Sequence, residues 1–274
     1  MVSPLAARIM SSASHVLVTG ASSGIGAEIA REYARRGMPL VLAARRTERL
    51  EALADELRAR VPCETVTADL ADPRAPLALF ETLAGRGITV GRLVNNAGYG
   101  VPGNYLSSPW ETHAAFLQVM VTAVSELTWR FLPQIRASGQ GRILNVASFA
   151  GLAPGSNGQT LYAAAKSFLI KFTESLALEN ARHGVHACAL CPGFTYSEFH
   201  DVTGTRALVA KLPKWMWLEA DAVARQGVAG VEAGRVVVVP GFGYKLRRLA
   251  LKHLPDAIAR AAMARHSASM RDGR

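Results

Sequence analysis

The sequence predicts an α/β fold, a doubly wound parallel sheet of about seven strands with helices on both faces, and three observations point to it. Short apolar runs alternate with stretches of helical periodicity along the chain. Turn residues stand at nearly every joint between them. No internal repeat or low-complexity linker divides the 274 residues, a length that suits one domain with a sizeable core. The strands read, in order, His15–Thr19, Pro39–Ala44, Glu64–Ala68, Arg92–Asn95, Arg142–Ala147, Val185–Leu190 and Arg235–Val239. Helical periodicity follows the first two, from Gly24 to Arg36 and from Thr47 to Arg60. The expected organisation is an N-terminal extension (1–14), one α/β domain (15–240) and a basic tail (241–274).

Half the residues are hydrophobic and 19% are charged, a globular composition. The net charge of +10 is concentrated in the tail: eight Lys/Arg against two Asp from Gly241 to Arg274 give +6. Without a basic face spread over the domain, nucleic acid is not an expected partner. Among three cysteines, Cys188 and Cys191 have C-x-x-C spacing. They lie in a strand-like run where positions i and i+3 face opposite ways, so inert buried thiols are expected, with no metal site. No secretory leader and no apolar run of about 18 residues is legible, so a reducing cytoplasm is the expected compartment.

The first chemical motif is Thr19-Gly20-Ala21-Ser22-Ser23-Gly24-Ile25-Gly26, between the first strand and the first helix. Glycines allow a tight turn and close approach of backbone to a pyrophosphate, whose charge the helix N-terminus stabilises. The spacing is G-x-x-x-G-x-G, and its β-α-β context makes Gly20, Ser22, Ser23, Gly24, Ile25 and Gly26 candidate cofactor-binding residues in a Rossmann-like fold. Further along come Asn95-Asn96-Ala97-Gly98 at the end of the fourth strand, Ser148 after the fifth, Tyr162-Ala163-Ala164-Ala165-Lys166, and Pro192-Gly193 after the sixth. In this order the motifs resemble those of the short-chain dehydrogenases/reductases, over about residues 14 to 240.

That resemblance implies an oxidoreductase acting on a carbonyl or alcohol, with Tyr162, Lys166 and Ser148 as catalytic candidates. Residues i and i+4 share a helix face, so the Lys166 ammonium is expected beside the Tyr162 phenol. At about 4 Å and an effective dielectric near 20, a cation contributes roughly 4 kcal/mol, enough to lower the phenol's pKa by about 3 units from its usual 10. General acid–base work near neutrality would then be accessible. Ser148 is placed to hold the substrate oxygen where negative charge develops. Its separation from Tyr162 is a residue or so longer than the family's, and Gly155-Ser156-Asn157-Gly158 is where an insertion would be absorbed. The resemblance also implies that Asn96, Ala97 and Gly98 back the adenosine side of the cofactor. Asp69 and Leu70 would lie along the adenine, and Lys166 would bridge the nicotinamide ribose. Pro192 and Gly193 precede Ser197, which takes the position of the family's amide-contacting Thr, with Thr195 a second candidate.

Arg45 lies 19 residues beyond Gly26 and is followed by Arg46. An acidic residue there would hold a ribose 2′-hydroxyl, whereas a guanidinium suits a 2′-phosphate. NADP(H) is therefore the expected cofactor. The alternative is that both arginines start a solvated helix, paired with Glu48 and Glu51. One departure concerns the helical Asn that the family uses in a proton relay: counting from Asn96 lands on Met120, whose thioether is a weak acceptor. Gln118 or Thr122 would then have to support the relay, or proton transfer is impaired.

The segment 194–218 is read as a substrate lid carrying Phe194, Tyr196, Phe199, Trp215, Met216 and Trp217, suited to a bulky apolar substrate. The alternative is that Trp215 and Trp217 only pack the lid on the core. The tail approximates a basic amphipathic helix interrupted at Pro255. Packing on its own domain or across a homo-oligomer is expected, with peripheral contact to an anionic membrane as the alternative. Two other classes stay open: a cofactor-binding regulator or scaffold with weakened turnover, and a membrane-surface protein acting through its tail.

Overall fold

The computed structural model describes residues 14–101, 103–198 and 213–269. The strands are β1 (His15–Thr19), β2 (Leu40–Ala44), β3 (Cys63–Thr67), β4 (Val90–Asn95), β5 (Arg142–Val146), β6 (His186–Leu190), β7 (Thr195–Tyr196), β8 (Leu218–Glu219) and β9 (Val237–Val238). The helices are α1 (Gly24–Arg35), α2 (Thr47–Arg58), α3 (Ala75–Gly85), α4 (Trp110–Leu117), α5 (Ala123–Ala137), α6 (Thr160–Asn180), α7 (Ala220–Glu232), α8 (Phe242–His253) and α9 (Asp256–Ser269). Seven strands form one parallel sheet in the order β3-β2-β1-β4-β5-β6-β9.

The central strands are apolar because both of their faces are covered. In β2, Leu40 and Leu42 join a core beneath α1, α2 and α7, while Val41 and Ala43 join another beneath α3 to α6. A third cluster sits near the strand ends, where Ala147, Ala189 and Cys191 meet Leu169 of α6 and Tyr244 of α8. The strand order reverses between β1 and β4, which opens a crevice at the carboxyl ends of the strands, where ligands bind in such sheets.

The second, two-stranded sheet went unread in the sequence. It pairs β7 with β8 and joins the two stems of the segment expected as a lid. Phe199 and the chain before Ser14 lie outside the described residues. Cys188 and Cys191 are buried in different clusters, and burial pushes each thiol up to about 12. At neutral pH they are un-ionised and poor nucleophiles.

Candidate active site

The β1–α1 turn is held by its neighbours. A Cβ on Gly20, which has φ +64°, would lie 2.7 Å from the Ala97 Cα. One on Gly26 would lie 2.3 Å from the Asn96 Nδ2 and 2.5 Å from the Gly20 carbonyl oxygen. Asn96 is the clamp: its side-chain amide donates to the Thr19 and Gly20 carbonyls, each at 3.0 Å. Thr19 accepts from the Asn96 and Ala97 N–H groups through its own hydroxyl. Gly20, Ser22, Ser23, Gly24 and Ile25 line the cleft, whereas Gly26 packs behind the turn against Asn96. The first N–H groups of α1 have no partner within the helix, and the N-cap Ser23 side chain does not bond them.

Ser148, Tyr162 and Lys166 come together in the same cleft. Ser148 caps a short 3-10 turn, accepting from the Ala150 N–H at 3.2 Å, and its hydroxyl bonds the Tyr162 phenol. The turn is tied to the end of β6 by the Phe149 N–H donating to the Pro192 carbonyl at 2.8 Å. Lys166 is buried, and its Nζ donates to the Val146 carbonyl at 2.7 Å.

The expected electrostatics of this pair are corrected by the structure. Burial pushes the Tyr162 phenol up to about 12, offset in part by the Ser148 hydrogen bond, and no ammonium pulls it down. The Lys166 Nζ lies 5.7 Å from the Tyr162 ring centroid and is directed at Val146. Burial in turn lowers the Lys166 ammonium to about 8. The i, i+4 spacing placed both groups on one face, but desolvation outweighs their attraction.

At the glycine-turn end, Arg45 lines the cleft and is exposed. Arg46 donates to the Ser22 and Ser23 hydroxyls, at 3.0 and 2.8 Å, and pairs with Glu198 at 3.0 Å. Arg49 meets the same carboxylate. The expected alternative partners, Glu48 and Glu51, do not pair with Arg46: Glu51 binds Arg58 and Thr65 instead. Glu198 and Arg49 were not anticipated, because their partners are some 150 positions away in sequence. Asp69 is exposed, accepting from the Ala71 N–H, and Leu70 is buried beside it. Thr195 is buried with its hydroxyl on the Gly193 carbonyl, while Ser197 stands against Gly24. All four line the cleft together with Asn96, Ala97, Gly98, Pro192 and Gly193.

Met120 lies in a π-helical turn (Gln118–Thr122) between α4 and α5, buried, and its Sδ would be 2.8 Å from a Cβ on Gly98. It therefore fills the space behind Asn96-Ala97-Gly98. Thr122 is exposed, while the Gln118 amide nitrogen is buried without a hydrogen-bond partner among the described residues. Sequence reasoning also missed a buried chain beneath the site: Asn95 donates to Asn145 at 2.9 Å, and Asn145 to Thr173 at 2.8 Å. Asn145 inside an apolar strand was the available signal.

The C-terminal helices roof the far end of the cleft. Tyr244 packs on Gly193, where a Cβ would fall 1.9 Å from its ring. Its hydroxyl accepts from the Phe194 N–H at 3.0 Å and donates to the Met216 carbonyl at 2.7 Å, locking α8 to both stems of the 194–218 segment. Trp217 stacks on Tyr196 at 4.7 Å, whereas Trp215 is 66% exposed under Arg247. The cavity measures about 940 Å³. This is the upper end of the range for one drug-sized ligand, about 300–1,000 Å³, and gives room for a cofactor with a substrate beside it.

A family model described as short chain dehydrogenase matches residues 14–206. The oxidoreductase UcpA of Escherichia coli (strain K12) is 36% identical over 179 residues, 65% of this chain and 68% of that protein. A short-chain dehydrogenase from Sphingobium yanoikuyae, solved in complex with NADPH, is 34% identical with a TM-score of 0.78, covering 87% of this chain and 92% of that one. The bulky-bulky ketone specific alcohol dehydrogenase from Comamonas testosteroni is 28% identical with a TM-score of 0.72, covering 89% and 96%.

Proposed function

The chain belongs to the short-chain dehydrogenase family of oxidoreductases, and from that premise we propose that it reduces a bulky, apolar ketone or aldehyde with NADPH, Tyr162 being the proton donor. The observation that carries this reading is the meeting of the glycine turn with Ser148, Tyr162 and Lys166 in one cleft. The residues fit a dinucleotide: the turn around Gly20 and Gly26 has no room for a Cβ, and unpaired helix N–H groups adjoin it. Arg45 and Arg46 would hold the 2′-phosphate, and Lys166 the nicotinamide ribose. When bound, NADPH supplies the hydride. The complex of the Sphingobium relative with NADPH supports the cofactor, and the ketone specificity of the Comamonas relative supports the substrate class.

A phenol held near 12 is protonated at neutral pH, the form that carbonyl reduction needs. As the substrate oxygen gains negative charge, Tyr162 gives up its proton and Ser148 donates a second hydrogen bond. Lys166 is mostly charged below about pH 8, and the Ser148 hydrogen bond favours the phenolate left behind. The test is NADPH absorbance over a panel of bulky ketones and their alcohols. Reduction with NADPH favoured at least tenfold over NADH is expected. Tighter binding of NADH, or no turnover of any ketone by protein that binds NADPH, would contradict the reading and favour a cofactor-binding regulator.

Two surfaces bear on partners. Exposed Trp129 on α5, with Phe168 and Leu178 on α6, supports a homo-oligomer, checked by light scattering on the wild type and Trp129→Glu. The outer side of α8 exposes Phe242, Leu246 and Leu249 with Lys245 and Lys252, which supports peripheral contact with anionic lipid. Co-sedimentation with phosphatidylserine vesicles, and its loss in Lys245→Glu/Lys252→Glu, checks it.

A further inference from the structure

Arg247 is the one cation at the roofed end of the cleft among the described lining residues, where its neighbours include Met216, Leu251, Leu254 and Met263. Its guanidinium carbon lies 4.9 Å from the Trp215 ring centroid and 5.4 Å from that of Tyr244. Both distances are within cation–π range, so the two rings hold the guanidinium at the cavity wall. Among the described residues no carboxylate pairs with it; the acidic groups of the cleft, Asp69 and Glu198, line the glycine-turn end. Tyr244 also touches Phe149, the neighbour of Ser148, at 5.2 Å between ring centroids. Arg247 is thus two side-chain contacts from the reacting end. The half-buried guanidinium, hydrogen-bonded to Tyr244, faces an apolar cavity with no charged partner among the described residues.

We infer that Arg247 anchors a carboxylate on the substrate, so that the preferred substrates are apolar ketones or alcohols carrying an acid group remote from the reacting carbon. The inference rests on the reductase reading for its reaction, and on the cavity alone for its anchor. A planar fork held by two rings matches a carboxylate bidentately, and the apolar wall takes the hydrocarbon between the two ends. Face position supports it: Tyr244, Arg247 and Leu251 follow helical spacing and turn one side of α8 into the cavity.

The test has a binding arm and a turnover arm. In the first, calorimetry compares 5-phenylpentanoate with 5-phenylpentanamide, on the protein with and without NADPH. In the second, kcat/KM is compared for 4-benzoylbutyrate and its methyl ester. The acid is expected to be preferred about ten- to a hundredfold in both arms. Arg247→Met keeps the stem's packing and should abolish that preference through KM, with NADPH affinity and ester turnover unchanged. Arg247→Gln, a milder change, should do the same. Equal handling of acid and neutral analogue by the wild type, or a preference that survives both variants, would overturn the anchor while leaving the reductase standing. Loss of NADPH affinity in Arg247→Met would assign the residue to the cofactor and also overturn it. Arg247-dependent binding of the acid without turnover of any ketone would keep the anchor and overturn the reductase reading.

Discussion

At the glycine-turn end of the cleft, backbone meets backbone: Gly20 and Gly26 leave no room for a Cβ, and Asn96 ties the turn down through two carbonyls. At the roofed end the contacts are made by side chains. Tyr244, Arg247 and Leu251 reach in from a helix that begins after the last strand. Contacts made by backbone restrict the sequence to a few residue types at fixed spacing, so they leave motifs. Contacts made by side chains accept many solutions, and substrate choice can change there without disturbing the turn.

The largest effect expected from this contrast is at Gly26. Gly26→Ala drives a Cβ into Asn96 and Gly20, and should cost about 1–3 kcal/mol of stability together with most NADPH affinity. Gly85→Ala, where nothing lies within 4 Å, should change stability by less than about 1 kcal/mol. Urea melts and NADPH titrations of the two would break the comparison if their effects were alike.

Lys166 tests whether the site is held at the expense of stability. Its ammonium is lowered by burial from 10.5 to about 8, equivalent to roughly 3 kcal/mol against folding while it is charged. Between pH 8 and 10.5 the unfolded chain binds the proton more tightly, so stability from this group rises with pH and levels off above that window. Lys166→Met should remove that rise, lose turnover, and unfold at an equal or higher urea concentration at pH 7. A variant clearly less stable than the wild type at pH 7 would show that the Val146 hydrogen bond outweighs burial.

Tyr244→Phe deletes two hydrogen bonds at the roof, from the Phe194 N–H and to the Met216 carbonyl. A loss of about 1–3 kcal/mol in stability is expected, with a raised ketone KM and NADPH affinity within a fewfold. Equal damage to both ligands would mean that the two ends are not separable. The smallest effect is expected at Met120, which fills space behind Gly98. Met120→Asn should leave NADPH affinity unchanged and increase turnover only where proton delivery limits the rate. Unchanged turnover in an already fast enzyme would remove any suspicion of an impaired relay.

The same contrast explains what was legible in the sequence. The seven-stranded parallel sheet was readable because most of its strands, β2 above all, are largely apolar, and His15–Thr19 and β1 coincide to the residue. The candidate catalytic and cofactor-binding residues line one cleft, apart from Gly26 behind its turn. The Tyr162–Lys166 electrostatics were misread because spacing gives proximity on a helix but not burial, and burial sets the sign of the shift. Glu198, Arg49 and the roles of Tyr244 and Arg247 were illegible for a different reason. Their partners are distant in sequence or are aromatic rings, and no local pattern encodes such meetings.

The central claim, proton donation by Tyr162 in an NADPH-dependent reduction, is tested most directly by Tyr162→Phe. Its NADPH dissociation constant and its single-turnover rate should be measured on one bulky ketone that the wild type reduces. A rate lowered by about 10²–10⁴ is expected, with NADPH affinity within a fewfold. A variant that retains most of its rate would contradict it.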